Sequence, residues 1–198
     1  MAQQPSTHIT LAAALWPSEA AQKAVRVTVL ALAGTLLLTL AAKIQVPFYP
    51  VPMTMTTFAV LVIGMAYGWR LGVATILLYL AEGALGLPVF AGTPEKGVGL
   101  AYMLGGTGGY LIGYIFAAGL CGWLAERGWD RHVATTALAM LLGNIVLYVP
   151  GLLWLGTLFG WDKPILEWGL TPFILGDLTK LALAAAVLPL AWKLVKRS

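Results

Sequence analysis

An aspartate and a lysine three residues apart, Asp177 and Lys180, stand inside an apolar run near the end of the chain. On a helix this spacing puts both side chains on one face, where each can neutralise the other. A charge inside a membrane span costs about 2.5–3.5 kcal/mol on insertion scales and is a functional candidate by default. Glu82 is a third ionisable group within an apolar stretch. A carboxylate accepts hydrogen bonds and an ammonium donates them, so such a set can hold a small polar ligand. The bland readings are a self-satisfied ion pair that fixes helix packing and, for Glu82, a carboxyl that snorkels to the interface or is held protonated.

Asn144, in Gly143-Asn144, sits near the middle of another apolar run and offers both donors and an acceptor. Ligand contact and an interhelical hydrogen bond are equal readings of it. Tyr148 lies one turn further along the same face. With Tyr79, Tyr110 and Trp154 it belongs to a set of aromatics that more often anchor or pack helices than line a binding site. The run Gly105-Gly106-Thr107-Gly108-Gly109-Tyr110 opens a helix, and exposed N–H groups at a helix N-terminus can hold a carboxylate. Close helix packing explains Gly109 and its neighbours equally well. Ala24, Thr28, Ala31 and Thr35 form a stripe of small residues, one per turn, that lets another helix approach closely.

The elements that carry these residues must lie in lipid. Only 10% of the 198 residues are charged and 60% are hydrophobic, with mean hydropathy +0.85; soluble domains carry about 25% charge. A soluble fold of this size would display large apolar patches. The net charge of +4 comes from scattered single side chains, which argues against nucleic acid. One cysteine, Cys121, excludes an intrachain disulfide, and with His8 and His132 in tail and loop no metal site is expected. Neither a nucleophile beside a base nor a Gly-Lys-Ser/Thr phosphate loop is visible, so the chain reads as neither an enzyme nor an ATPase. Residues 1–23 lack the pattern of a cleaved signal peptide, and the first span is expected to serve as its own membrane signal.

Charges and Pro/Gly clusters punctuate the chain into six expected spans, near 25–42, 54–69, 71–87, 105–125, 133–158 and 170–192. The second and third are the shortest and are joined by a tight turn at Gly68-Trp69-Arg70-Leu71-Gly72. The loops from Val46 to Pro52 and from Leu87 to Thr107 should be irregular. Lys23, Arg26, Arg70, Arg127, Arg131, Lys193, Lys196 and Arg197 fall on one side, and Lys43, Lys96 and Lys163 on the other. Eight against three predicts an all-α, polytopic membrane protein of a single domain with both termini cytoplasmic, residues 1–22 forming an N-terminal cytoplasmic segment. With the sixth span starting near Gly169, Asp177 should lie roughly 12 Å and Lys180 roughly 16 Å below the outer edge.

Five ordered motifs on this span plan resemble the BioY family, the biotin-binding S components of energy-coupling factor (ECF) transporters. They are Pro47-Phe48-Tyr49-Pro50-Val51-Pro52-Met53-Thr54, Gly83-Ala84-Leu85-Gly86-Leu87-Pro88-Val89-Phe90, Gly108-Gly109-Tyr110-Leu111-Ile112-Gly113, Gly143-Asn144 with Tyr148, and Gly176-Asp177-Leu178-Thr179-Lys180. The resemblance covers the chain from about Val25 to the C-terminus. One departure is Gly106-Thr107-Gly108-Gly109, where the family pattern has Gly-Pro-Thr-Gly-Gly, which leaves the form of that turn open.

The resemblance implies a six-helix subunit of the cell membrane that captures biotin, its transported ligand rather than a cofactor, at an outward-facing site. It would work with a membrane-embedded T component and two cytoplasmic ATPase subunits, although solitary function has been proposed for some members. It carries over Asp177, Lys180 and Asn144 as ligand contacts. Biotin presents a ureido ring with two N–H donors and a carbonyl, an apolar thiophane ring and a carboxylate tail. Asp177 can accept a ureido N–H, Asn144 can pair with ureido donor and acceptor, and Lys180 can donate to either the ureido carbonyl or the tail. The competing class is a solitary or proton-coupled transporter of biotin or a small carboxylate, which would expose Asp177 and Glu82 inward in a second conformation; no inverted repeat supports it.

Overall fold

The computed structural model describes residues 8–17 and 22–195 and is mostly helical. Lys196, Arg197 and residues 1–7 and 18–21 of the N-terminal segment lie outside the described residues. The principal helices are α2 (Lys23–Lys43), α3 (Thr56–Tyr67), α4 (Trp69–Ala84), α6 (Gly108–Ala125), α7 (Val133–Phe159) and α9 (Ile174–Val195). Short helices α1 (Leu11–Leu15), α5 (Gly99–Met103) and α8 (Ile165–Gly169) lie among them. A 3-10 turn, Thr171–Phe173, leads into α9.

Among the described residues, four segments are long and apolar enough to cross a membrane: Lys23–Lys43, Gly108–Ala125, Val133–Phe159 and Ile165–Val195. Helices α3 and α4 have 12 and 16 residues. At about 1.5 Å per residue both fall short of the ~30 Å hydrocarbon core. Their turn is tighter than expected. Gly68 alone makes it, with φ 81°, a conformation open to glycine at little strain, and Trp69 already begins α4. Gly72, expected in the turn, is a buried residue inside the helix.

The two irregular stretches carry some regular structure. Strands β1 (Gln45–Val46) and β2 (Met53–Thr54) pair antiparallel and pin the ends of the proline-rich loop, with Gln45 opposite Thr54. Helix α5 interrupts the Gly/Pro-rich segment before α6. Helix α6 starts at Gly108, so Gly105 to Thr107 form the turn before it, held by a Trp154 Nε1–H bond to the Gly105 carbonyl of 2.9 Å. Helix α9 starts at Ile174, later than the expected 170, so Asp177 lies in its first turn instead of roughly two turns deep.

Helix α6 is the spine of the bundle, packed against α3, α4 and α7. Its contact with α7 is backbone to backbone: a Cβ added at Gly113 would stand 2.5 Å from the Leu147 carbonyl oxygen. Helix α2 lies at the rim with Leu32, Leu36 and Leu40 more than half exposed, a face suited to hydrocarbon. Within the small-residue stripe only Thr35 is buried, while Ala24 and Thr28 are exposed.

The two ends of the bundle differ. One gathers the β1–β2 loop, residues 85–107 and α8. At the other, α1 packs across α3 and α9 with Leu11 and Ala12 buried. There His8 N–H bonds the Glu126 carbonyl (2.8 Å) and Arg131 stacks over the Trp192 ring. Burial raises the Asp130 carboxyl above its usual range; a hydrogen bond donated by Trp192 Nε1 partly offsets this.

We predict that Gly113→Ala, which drives a methyl into backbone, lowers stability by about 1–3 kcal/mol. Gly119→Ala meets only the Val73 side chain, at 3.3 Å, and should be far milder. Heat-unfolding midpoints in detergent decide the matter, and equal midpoints for the two variants would contradict this packing.

Candidate functional site

Between α3, α4, α6, α7 and α9, at the end bearing the long loops, lies a cavity. Its wall is aromatic, built from Tyr79, Phe90, Tyr102, Tyr110, Tyr114, Tyr148 and Phe173, and its charged groups are Asp177 and Lys180.

The pair is formed as its spacing predicts. Lys180 Nζ donates to Asp177 Oδ1 at 3.1 Å, with the residues only 8% and 7% exposed. Each ion has a second partner from another helix. Lys180 Nζ donates to Thr57 Oγ1 of α3 at 2.9 Å, and Tyr148 of α7 donates its hydroxyl to Asp177 Oδ2. Asp177 also sits in the first turn of α9, where the helix dipole favours a negative charge. An ammonium has three N–H donors, of which two are used here. The third donor and the remaining carboxylate lone pairs border the cavity.

A loop covers the cavity. Lys43, at the C-terminal end of α2, sends Nζ to the Phe90 carbonyl, the Thr93 carbonyl and Thr93 Oγ1, each at 3.0 Å. This fixes Phe90 in the cavity wall, where it packs edge-on to Tyr79 (5.3 Å) and stacks on Tyr102 (5.0 Å). The Tyr79 hydroxyl holds the same loop through the Val89 carbonyl at 3.0 Å. On the opposite wall, Tyr110 donates its hydroxyl to the Gly169 carbonyl (2.8 Å) and stands edge-on to Tyr148.

Of the residues singled out from sequence, Asp177, Lys180, Tyr148, Tyr110 and Tyr79 meet in this cavity, and Trp154 is not in its lining. Asn144 does not line it. It faces a side groove between α7 and α9, with its buried Oδ1 unpartnered and Tyr148 and Asp177 forming the wall between groove and cavity. Glu82 is half-buried near the end of α4 and is absent from the lining. Gly109 is buried against α7, where an added Cβ would stand 2.3 Å from the Pro150 carbonyl oxygen, so its geometry is that of close packing. Helix α6 therefore does not present Gly109 to the cavity as an open anion cradle.

Several wall residues escaped sequence reasoning. Thr57, Tyr102 and Tyr114 carry no pattern that separates them from packing residues, and only the tertiary fold brings them together. Lys43 was legible as a basic residue on the loop side, but the carbonyls it meets belong to a loop some fifty positions away. Among the described residues no cluster of three His, Cys, Asp or Glu side chains could hold a metal ion.

The lysine clamp generates a prediction. Lys43→Met keeps the aliphatic stem and removes all three bonds, so the amides of residues 89–93 and 95–97 should exchange with deuterium at least about tenfold faster, given the ~1.5–3 kcal/mol of a charged hydrogen bond. Protection in α6 and α7 should not change. Unaltered exchange in the loop would mean that ring packing alone holds it.

The BioY family model matches residues 10–197, nearly the whole chain. The probable biotin transporter BioY of Pyrococcus horikoshii is 38% identical over 146 residues, covering 74% of this chain and 83% of that protein. The biotin transporter BioY of Rhodobacter capsulatus is 37% identical over 174 residues, covering 81% and 90%, and that of Thermotoga maritima 34% over 153 residues, covering 77% and 88%. In fold, the chain is similar to a crystal structure described as the S-component for biotin from an ECF-type ABC transporter. The TM-score is 0.71 at 24% identity, with 89% of this chain and 95% of that one covered. With a family model that spans nearly the whole chain and relatives more than 30% identical over most of their length, the chain belongs to the BioY family.

Proposed function

We propose that this protein is the biotin-capturing subunit of an ECF-type vitamin transporter, a single membrane domain that binds biotin in its aromatic cavity for delivery to the cytoplasm. The observation that carries the reading is the aromatic cavity whose charged groups are one ion pair with hydrogen-bonding capacity to spare. Relatives named as biotin transporters and an S-component fold support it.

Biotin matches the cavity chemically. Its thiophane ring and aliphatic tail suit the tyrosine and phenylalanine walls, and its ureido N–H groups are donors for Asp177. Lys180 supplies a donor for the ureido carbonyl or the tail carboxylate, and the hydroxyls of Thr57 and Tyr148 complete the polar end. In this reading Asn144 reaches the ligand only if the Tyr148–Asp177 wall moves. Glu82 and Gly109 act through position, the first at the end of α4 and the second by letting α7 approach. An analogue lacking the ureido group would leave buried polar atoms unpaired, at about 1–3 kcal/mol each, which is the source of specificity.

In the membrane, α2, α3, α4, α6, α7 and α9 each cross, the short α3–α4 hairpin with its flanking residues. Both termini lie in the cytoplasm, as the excess of Lys and Arg at that end favours. The cavity then opens in the outer half of the plasma membrane. A T component and two cytoplasmic ATPases would supply the energy, and the exposed apolar face of α2, with Leu32 and Leu36, is where a partner helix would pack.

Asp177→Asn and Lys180→Ala should each weaken biotin binding by about 10–100-fold, the loss of a hydrogen bond to a charged group. Calorimetry on the detergent-solubilised variants tests this, with dethiobiotin and biotin amide as ligands to separate the ring from the tail. Unchanged affinity in both variants would reduce the pair to a packing device.

A further inference from the structure

A second feature lies outside the cavity, at the opposite end of the bundle. A shallow groove between α4 and α6 is lined by Trp69, Gly119, Leu120 and Trp123 and is almost wholly apolar. The missing side chain at Gly119 makes its floor: a Cβ there would touch only Val73. Both indoles are more than two-fifths exposed, Trp69 at 42% and Trp123 at 44%. Each carries a guanidinium. Arg70 Cζ stands 5.2 Å from the Trp69 ring centroid and Arg127 Cζ 3.4 Å from that of Trp123.

Among the described residues neither arginine forms an ion pair with a carboxylate. Arg127 spends one N–H on the Trp123 carbonyl at 2.9 Å, which leaves most of its five donors free. The carboxylate of Glu126, the residue before Arg127, is engaged elsewhere. It accepts the Trp69 backbone N–H at 3.2 Å and so caps the start of α4. Stacking on indole orients the guanidinium planes without consuming their donors.

Two oriented, unpaired cations beside an acyl-wide apolar trough are complementary to one class of molecule that surrounds any membrane protein. We propose that this groove is a binding site for an anionic phospholipid, with its phosphate between Arg70 and Arg127 and one acyl chain lying over Gly119 and Leu120 between the two indoles. Basic pockets between helices select acidic headgroups in this way, and a phosphate takes bidentate bonds from arginine. The proposal requires only that the chain lie in a bilayer and is independent of its cargo.

The test is fluorescence quenching in phosphatidylcholine nanodiscs containing a fixed fraction of brominated phosphatidylglycerol or, in parallel, brominated phosphatidylcholine. A Trp69→Phe, Trp123→Phe double variant supplies the background from the remaining tryptophans. The groove indoles should be quenched more by the anionic lipid. The preference should fall about fivefold with Arg70→Gln, about fivefold with Arg127→Gln, and to parity with both. Heat-unfolding midpoints in detergent that match the wild-type protein would show that the arginine variants are folded. Equal quenching of the wild-type protein by the two lipids, as a neutral aromatic belt or a site for a partner helix would give, overturns the proposal. So does a preference that survives the double arginine substitution.

Discussion

A lysine and an aspartate withdrawn from water and from lipid persist only where each meets the other and further hydrogen-bonding partners, because several kcal/mol of lost solvation stand against each ion. Asp177 and Lys180 impose that condition on the whole upper half of the bundle. Helix α9 must begin just before Asp177 so that its N-terminal dipole faces the carboxylate. Helix α3 must bring Thr57 to the ammonium, and α7 must bring Tyr148 to the carboxylate. Three helices are thus fixed around one pair. The charge that orders them is also the charge a polar guest can meet.

The rest of the architecture keeps the pair buried yet bordering the cavity. Helices α6 and α7 close to backbone contact at Gly109 and Gly113, which draws Tyr110 and Tyr148 together as one wall. The cover is made differently. It is a loop with little regular structure, tied by Lys43 through three bonds and seated by Phe90 among tyrosines. A rigid wall and a tethered loop suit a site that must hold a small molecule and later release it, since loops open at lower free energy than packed helices.

The sequence made the helices legible because apolar runs of this length have few alternatives, and the i, i+3 spacing of Asp177 and Lys180 foretold their bond. Helix ends were harder. The α3–α4 turn and the start of α9 were each displaced, since a glycine can end one helix or sit inside the next, and only packing decides. Thr57, Tyr102 and Tyr114 were hidden for a different reason: they are ordinary residues made special by neighbours far away in the chain. Asn144 was visible as a polar group in an apolar run, yet the periodicity could not say which of two adjacent hollows it faces.

The central claim is that the guest meets the buried ion pair directly, and isotope-edited infrared difference spectroscopy reads this without depending on affinity. With ¹³C-labelled aspartate, adding biotin to the detergent-solubilised protein should shift one carboxylate stretching band, and Asp177→Asn should abolish that shift. A difference spectrum that shows bound biotin but leaves every aspartate band in place would contradict the account.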